Sequence, residues 1–135
     1  MIKIPVDIKN NPEVNVWITS DTHYSHKNIC RGVTAWRTKE GEIPVSQTRD
    51  FATIEKMNSL IVNNINEVVG QDDMLIHLGD WSFGGFEQVR EFWDRVICKN
   101  IHLVLGNHDH HIENNRDGSQ GLFKSVSHYN TLEIG

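Results

Sequence analysis

Three short apolar runs recur along the chain, and each stops abruptly in a polar cluster. Val14 to Ser20 runs into Asp21-Thr-His23, Met74 to Leu78 into Gly79-Asp80, and Ile101 to Leu105 into Gly106-Asn-His-Asp109. From Ile101 to Leu105, apolar and β-branched residues continue without alternation up to a glycine, the pattern of a short buried strand. Between the runs lie two amphipathic segments. From Thr48 to Val69, Phe51, Ile54, Met57, Ile61, Ile65 and Val68 recur at three- and four-residue steps. That stripe predicts a helix, with Thr48 as its N-cap and Gly70 at its C′ position. A second helix is expected from Phe86 to Ile97, turning Val89, Phe92, Trp93 and Val96 inward. Strand, helix, strand, helix, strand predicts a parallel α/β sheet with right-handed crossovers.

The remaining segments carry weaker signals. Met1 to Glu13, with a turn at Asn10-Asn-Pro12, is expected as an edge strand or a loose arm. Tyr24 to Thr48 has no clear periodicity and reads as a long connection overhanging the first polar cluster as a lid. His110 to Gly121 reads as loop, and Leu122 to Ile134 as one or two further strands.

A chain of 135 residues with 38% hydrophobic content allows one domain, residues 1–135, with a modest core. No apolar run approaches the length of a membrane span and no leader-like segment opens the chain, so a cytoplasmic protein without membrane attachment is expected. The net charge of −5 disfavours a protein that holds nucleic acid through a basic surface. Metal ions in a nuclease would supply that charge locally, so nucleic acid stays open as a less favoured partner. Cys30 and Cys98 form no close pair and are read as buried or incidental thiols. The four tryptophans, Trp17, Trp36, Trp81 and Trp93, are more aromatic surface than so small a sheet is expected to bury.

The polar clusters carry the chemistry. In open α/β sheets, ligands bind beyond the carboxyl ends of the strands. Asp21 and His23, two apart on an extended segment, project the same way and can reach one ion. Each cluster alone has a plainer reading: an Asx turn for Asp21, a cap for Asp80, a left-handed turn residue for Asn107. Together, a carboxylate, an imidazole and an amide oxygen at three strand ends suit Mn, Fe, Zn or Ni better than a purely oxygen-loving ion. Two such ions about 3.5–4 Å apart form the known clamp for in-line displacement at phosphorus, with an acidified hydroxide as nucleophile and an imidazole to protonate the leaving oxygen.

The ordered set Asp21-x-His23, Gly79-Asp80 and Gly106-Asn107-His108-Asp109 resembles the calcineurin-like metallophosphoesterase family. Thr19 to His23, His26-Lys-Asn-Ile29 and His77 to Phe83 look like its small bacterial and bacteriophage members. The resemblance runs from about Val14 to the end of the chain. It implies a β-sandwich flanked by helices, of which this chain supplies the amino-terminal βαβαβ part. It implies a metal-dependent phosphoesterase acting on a phosphate ester, with two divalent ions. Asp21 and His23 would bind the first metal, Asp80 would bridge, and Asn107 would bind the second. His108 would act on the leaving group or the phosphoryl oxygens, with Asp109 as its orienting partner.

The family's further motifs, a later histidine and a Gly-His-x-His, have no match here. His128 is too early, and His110 and His111 read as solvated loop residues. The second ion is therefore expected to have only Asp80 and Asn107. Three alternatives stand: a domain incomplete at its carboxyl end, a second chain that completes the site, or a non-catalytic binding or assembly module with a vestigial half-site. Lys27, Arg31 and Arg37 read as solvated surface charge. His26 and His77 are expected to hydrogen-bond around the ligands or, for His77, within the core.

Overall fold

A computed structural model describes residues 2–7, 9–10, 12–115 and 118–134. The middle of the expected Asn10–Pro12 turn lies outside them. The architecture is α/β, built on two parallel sheets. β1 (Ile2–Val6) pairs with β6 (Asn130–Ile134), and a four-stranded sheet runs in the order β2 (Val16–Thr19), β3 (Met74–His77), β4 (Ile101–Val104), β5 (Ser125–Ser127). Every pairing in both sheets is parallel. Successive strands are neighbours, so the carboxyl ends of β2, β3 and β4 come out side by side. That is the arrangement expected of the βαβαβ core.

Helices α1 (Ile54–Val68) and α2 (Phe86–Arg95) make the crossovers. Register sets Trp17 beside Leu75 and Leu75 beside Ile101, with Leu103 beside Val126. These pack in one core with Val62, Val69, Val89, Phe92 and Val96 from the helices and their ends. Burying such side chains stabilises the fold by roughly 1.5–3 kcal/mol each before entropy is subtracted. Trp81 is fully buried at the centre of that core, its indole N–H donating to the Val89 carbonyl at 3.1 Å. The tryptophans are thus better accommodated than their number suggests: Trp17 and Trp93 pack against the core, and Trp36 alone of the four is exposed.

Several sequence expectations shift. The first helix starts at Ile54, with Thr53 rather than Thr48 as its N-cap; the Thr53 hydroxyl accepts from the Lys56 N–H at 3.2 Å. Residues before it are claimed by tertiary bonds, since Arg31 N–H donates to the Arg49 carbonyl and Arg49 N–H to the Ile29 carbonyl. The expected stripe of α1 holds at Met57, which is buried, and at Ile61 and Ile65, which pack against the core; it shifts at the end of the helix. Met57 and Val62 are buried, whereas Val68 is half exposed and its neighbour Val69 goes inside. His110–Glu113 forms a short helix, α3, where loop was expected, and Gln120–Leu122 forms a 3-10 turn. Among the described residues, no helix is long and apolar enough to cross a membrane.

Candidate metal centre

The sheet delivers the three polar clusters to one place. Asp21 and His23 follow β2, Asp80 follows β3, and Asn107, His108 and Asp109 follow β4. Main-chain bonds splice the first two connections: Asp21 N–H donates to the Gly79 carbonyl at 2.8 Å and His23 N–H to the Asp80 carbonyl at 3.0 Å. The β3 and β4 connections touch through glycine. Gly79 has φ +109°, and a Cβ on it would lie 2.6 Å from the Gly106 nitrogen. A Cβ on Gly106 would lie 2.6 Å from the Asp80 nitrogen. Only glycine allows this approach.

Among the described residues, the non-glycine positions with positive φ are Asp21, His23, Ser25 and Asp80. Each such conformation costs free energy, and a cluster of them is the mark of a functional turn. The surrounding bonds hold them. Arg49, half-buried on the connection before α1, donates to the carbonyls of Thr22 at 2.6 Å and Asp21 at 2.7 Å. Burial lowers its pKa, but a guanidinium stays charged.

One ligand atom from each of Asp21, His23 and Asp80 lies within 4.8 Å of the others. His23 Nε2 stands 3.6 Å from Asp21 Oδ1 and 3.5 Å from Asp80 Oδ2. Donors about 2.0–2.2 Å from a shared transition-metal ion would be spaced in that range. The set of one imidazole and two carboxylates fits such a cation. The Asn107 amide lies 3.2 and 3.3 Å from the two Asp80 oxygens, its nitrogen turned toward them as donor. Its oxygen in that place would meet only acceptors; a cation between the two residues would invert the preference. So the four candidate ligands converge, though Asn107 meets Asp80 alone.

Charge follows the same geometry. The Asp21 carboxyl is held below its usual range, first by the Ser20 hydroxyl, which donates to it, and then by His23. Burial lowers the His23 pKa despite the Asp80 carboxylate, which favours the neutral ring a metal requires. His23 Nδ1 lies 2.9 Å from His26 Nδ1. If His23 presents Nε2 to an ion, its Nδ1–H must donate and His26 must accept as a neutral ring. Burial pushes the His26 pKa down to about 4, which keeps it neutral.

Two expected residues stand differently from their sequence reading. The Asp109 carboxylate accepts from the main-chain N–H groups of Asp80 (2.8 Å), Trp81 (2.9 Å) and Gly106 (2.7 Å). It ties the β3 and β4 connections together, and its bonds run to backbone, not to the His108 ring. Burial raises its pKa against those three donors. His108 donates its main-chain N–H to Asp80 Oδ1 at 3.0 Å. Its ring stands edge-on to His23, with centroids 5.6 Å apart, and 5.3 Å from Phe83. His77 is fully buried, with a pKa lowered to about 3 by burial. Gly79 N–H donates to its Nδ1 at 3.1 Å, its Nε2 faces the Thr22 hydroxyl at 2.9 Å, and that hydroxyl donates to the Trp81 carbonyl at 2.8 Å. A single neutral tautomer satisfies the whole chain.

Sequence reasoning missed Arg49, Thr22, Ser20 and Phe83. Ser20 and Thr22 sat inside the first motif and could have been flagged as hydroxyls flanking a ligand. Arg49 gave no signal, because its contacts are 27 and 28 residues away. His128 pairs with Glu113 at 3.3 Å, both well exposed, and His110 and His111 are exposed on α3.

Comparison with known proteins gives three results. The profile of the calcineurin-like phosphoesterases matches residues 14–134. An uncharacterized protein of Methanocaldococcus jannaschii is 29% identical over 96 residues, which cover 70% of this chain and 46% of that protein. The crystal structure of a protein of unknown function from Aquifex aeolicus superposes with a TM-score of 0.56 at 24% identity, over 84% of this chain and 51% of that one. The chain thus spans about half the length of the relatives it matches.

Proposed function

Because the chain belongs to the calcineurin-like phosphoesterase family, whose members are metal-dependent phosphoesterases, we propose that it hydrolyses a phosphate ester at the strand-end cluster described above. The observation that carries the reading is the convergence of Asp21, His23 and Asp80 from two separate connections, in strained conformations that the fold clamps in place. A divalent transition metal held there would supply Lewis acidity toward the phosphoryl oxygens and lower the pKa of an attacking water.

The chain's own residues have distinct parts in this proposal. Asp21 and His23 would hold the first ion. Asp80 would bridge to a second ion; its Oδ2 lies toward His23, and its Oδ1 accepts from the His108 main-chain N–H. Asn107 would turn its amide oxygen to the second ion. The His108 ring, on the Phe83 side of the cluster, hydrogen-bonds the phosphoryl group or gives a proton to the leaving alcohol. Asp109 acts on position through the backbone of Gly106 and Asp80.

A second reading is favoured by the second position: among the described residues the His, Cys, Asp and Glu side chains that group to fit an ion are Asp21, His23 and Asp80, and Asn107 adds an amide beside Asp80. In it the cluster is a half-site and the chain serves binding or assembly. Donors from a further segment or a second chain would reconcile the two readings. Metal analysis of the purified protein, paired with hydrolysis of bis-p-nitrophenyl phosphate, separates them. The enzyme reading expects Mn, Fe, Zn or Ni in the protein and turnover lost by at least about a hundredfold in Asp80→Ala and in His108→Ala, the lower bound being the effect of losing a ligand's supporting partner. Bound metal without turnover would instead establish the half-site.

A further inference from the structure

The long connection between β2 and α1 contains an ordered loop from Trp36 to Gln47 whose two limbs are tied to each other. Thr38 N–H donates to the Glu42 carbonyl at 2.9 Å, and Gly41 N–H donates to the Thr38 carbonyl at 2.9 Å. Glu42 N–H donates to the Thr38 hydroxyl at 3.1 Å. Nearer the base, the Trp36 carbonyl accepts from the Gln47 side-chain amide at 2.9 Å and from the Arg37 guanidinium at 2.7 Å. Bonds on this scale hold the side chains of the loop in a defined arrangement.

Several of those side chains are large, apolar and in water. Pro44 is buried, and its neighbours Ile43 and Val45 project the other way, 50% and 99% exposed. On the opposite limb Trp36 is 52% exposed. Apolar residues scattered singly over a surface are ordinary, whereas a tryptophan and two β-branched residues on one short, braced loop have the composition of a contact surface.

The charges on the loop decide what that surface meets. Its tip reads Arg37-Thr-Lys39-Glu40-Gly-Glu42, two cations followed by two carboxylates. None of the ion pairs among the described residues involves Lys39, Glu40 or Glu42. A basic partner is attracted by one half of this tip and repelled by the other, and so is an acidic one. An anionic lipid surface also opposes the net charge of −5. A twofold axis removes the conflict. It sets the patch against itself with the chain direction reversed, so the cations of one copy lie opposite the carboxylates of the other and the apolar groups meet. Apolar burial then supplies the affinity, and the charges set the register.

We infer that the Trp36–Gln47 loop is a self-association surface through which two copies of this chain form a twofold dimer. The inference is independent of what the metal centre does.

The test is sedimentation velocity of the full chain from micromolar to millimolar concentration. Wild type should show a reversible monomer–dimer equilibrium. Trp36→Ala and Val45→Ser should each weaken it by at least about tenfold, as expected for residues central to an interface. Lys39→Glu and Glu42→Lys should each be monomeric alone, because every copy then repels its like. Mixed in equal amounts, these two variants should recover a dimer that holds one of each. All four positions lie on the loop surface, so the variants keep the fold, which circular dichroism checks. A wild type that stays monomeric throughout would overturn the proposal. So would a dimer that Trp36→Ala and Val45→Ser leave unchanged, or a mixture no more associated than its components.

Discussion

The two flanks of Asp80 are built differently. On one side, Asp21 and His23 are held by main-chain bonds to Gly79 and Asp80, by the Arg49 guanidinium and by the His26 ring. On the other, Asn107 is exposed, and among the described residues its side chain's polar partners are Asp80 and, at 3.5 Å, the His108 ring. The first flank is preorganised, its conformational cost met during folding. The second leaves most of its order to be imposed by whatever binds. Affinity follows preorganisation, because a site that is already ordered loses less entropy when occupied. The first ion should therefore bind far more tightly than the second.

The sharpest way to break this contrast is to disturb what both flanks share. Gly106→Ala forces a Cβ to within 2.6 Å of the Asp80 nitrogen, with backbone on both sides of the collision. A loss of about 1–3 kcal/mol of stability is expected from overpacking, read as a lowered urea midpoint. Metal binding should fall on both flanks together. Full affinity in a stable Gly106→Ala protein would show that the glycine contact does not position Asp80.

A change of about 2 kcal/mol is expected from acid. The His77 pKa is about 3 in the folded chain and near 6.5 when unfolded. A group with a lowered histidine pKa favours the folded state above 6.5, and that contribution is lost as pH falls from 6.5 toward 3, because only the unfolded chain takes up the proton. Between pH 7 and pH 5 the wild type should lose about 2 kcal/mol more than His77→Gln in urea unfolding. Equal losses would mean that His77 is not the buried neutral brace of the first flank.

A smaller and more local effect is expected at His26. His26→Asn removes the ring that receives His23 Nδ1–H while leaving the carboxylates in place. Metal affinity should drop about ten- to a hundredfold at the first position, the usual effect of losing a ligand's hydrogen-bond partner. An unchanged affinity by calorimetry would assign the orientation of His23 to Arg49 and the backbone alone.

These contrasts also explain what could be read from the chain beforehand. The ends of β2, β3 and β4 were legible because apolar runs stop at glycine or polar residues within a residue or two of where the strands do. The parallel order is legible in the alternation of those runs with two amphipathic helices, and the family resemblance of the motifs at the run ends picks out Asp21, His23, Asp80 and Asn107. The start of α1 was not legible. Thr48 and Thr53 are equally good caps locally, and the decision lies in bonds from residues 29 and 31 to Arg49. The role of Asp109 was hidden for the same reason: a carboxylate after a histidine suggests a pair, whereas its acceptors are used on backbone 28 and 29 residues away. The local signal located the candidate ligands, and the long-range bonds that hold them appear only in the fold.

The most direct test of the account is calorimetric titration of chelator-treated protein with zinc, comparing wild type with Asp80→Ala and Asn107→Ala. Wild type should show one tight ion per chain, with any second ion binding much more weakly. Asp80→Ala should abolish the tight site, and Asn107→Ala should leave it nearly intact. Tight binding that survives Asp80→Ala, or equal losses in the two variants, would contradict a preorganised first position built on Asp21, His23 and Asp80.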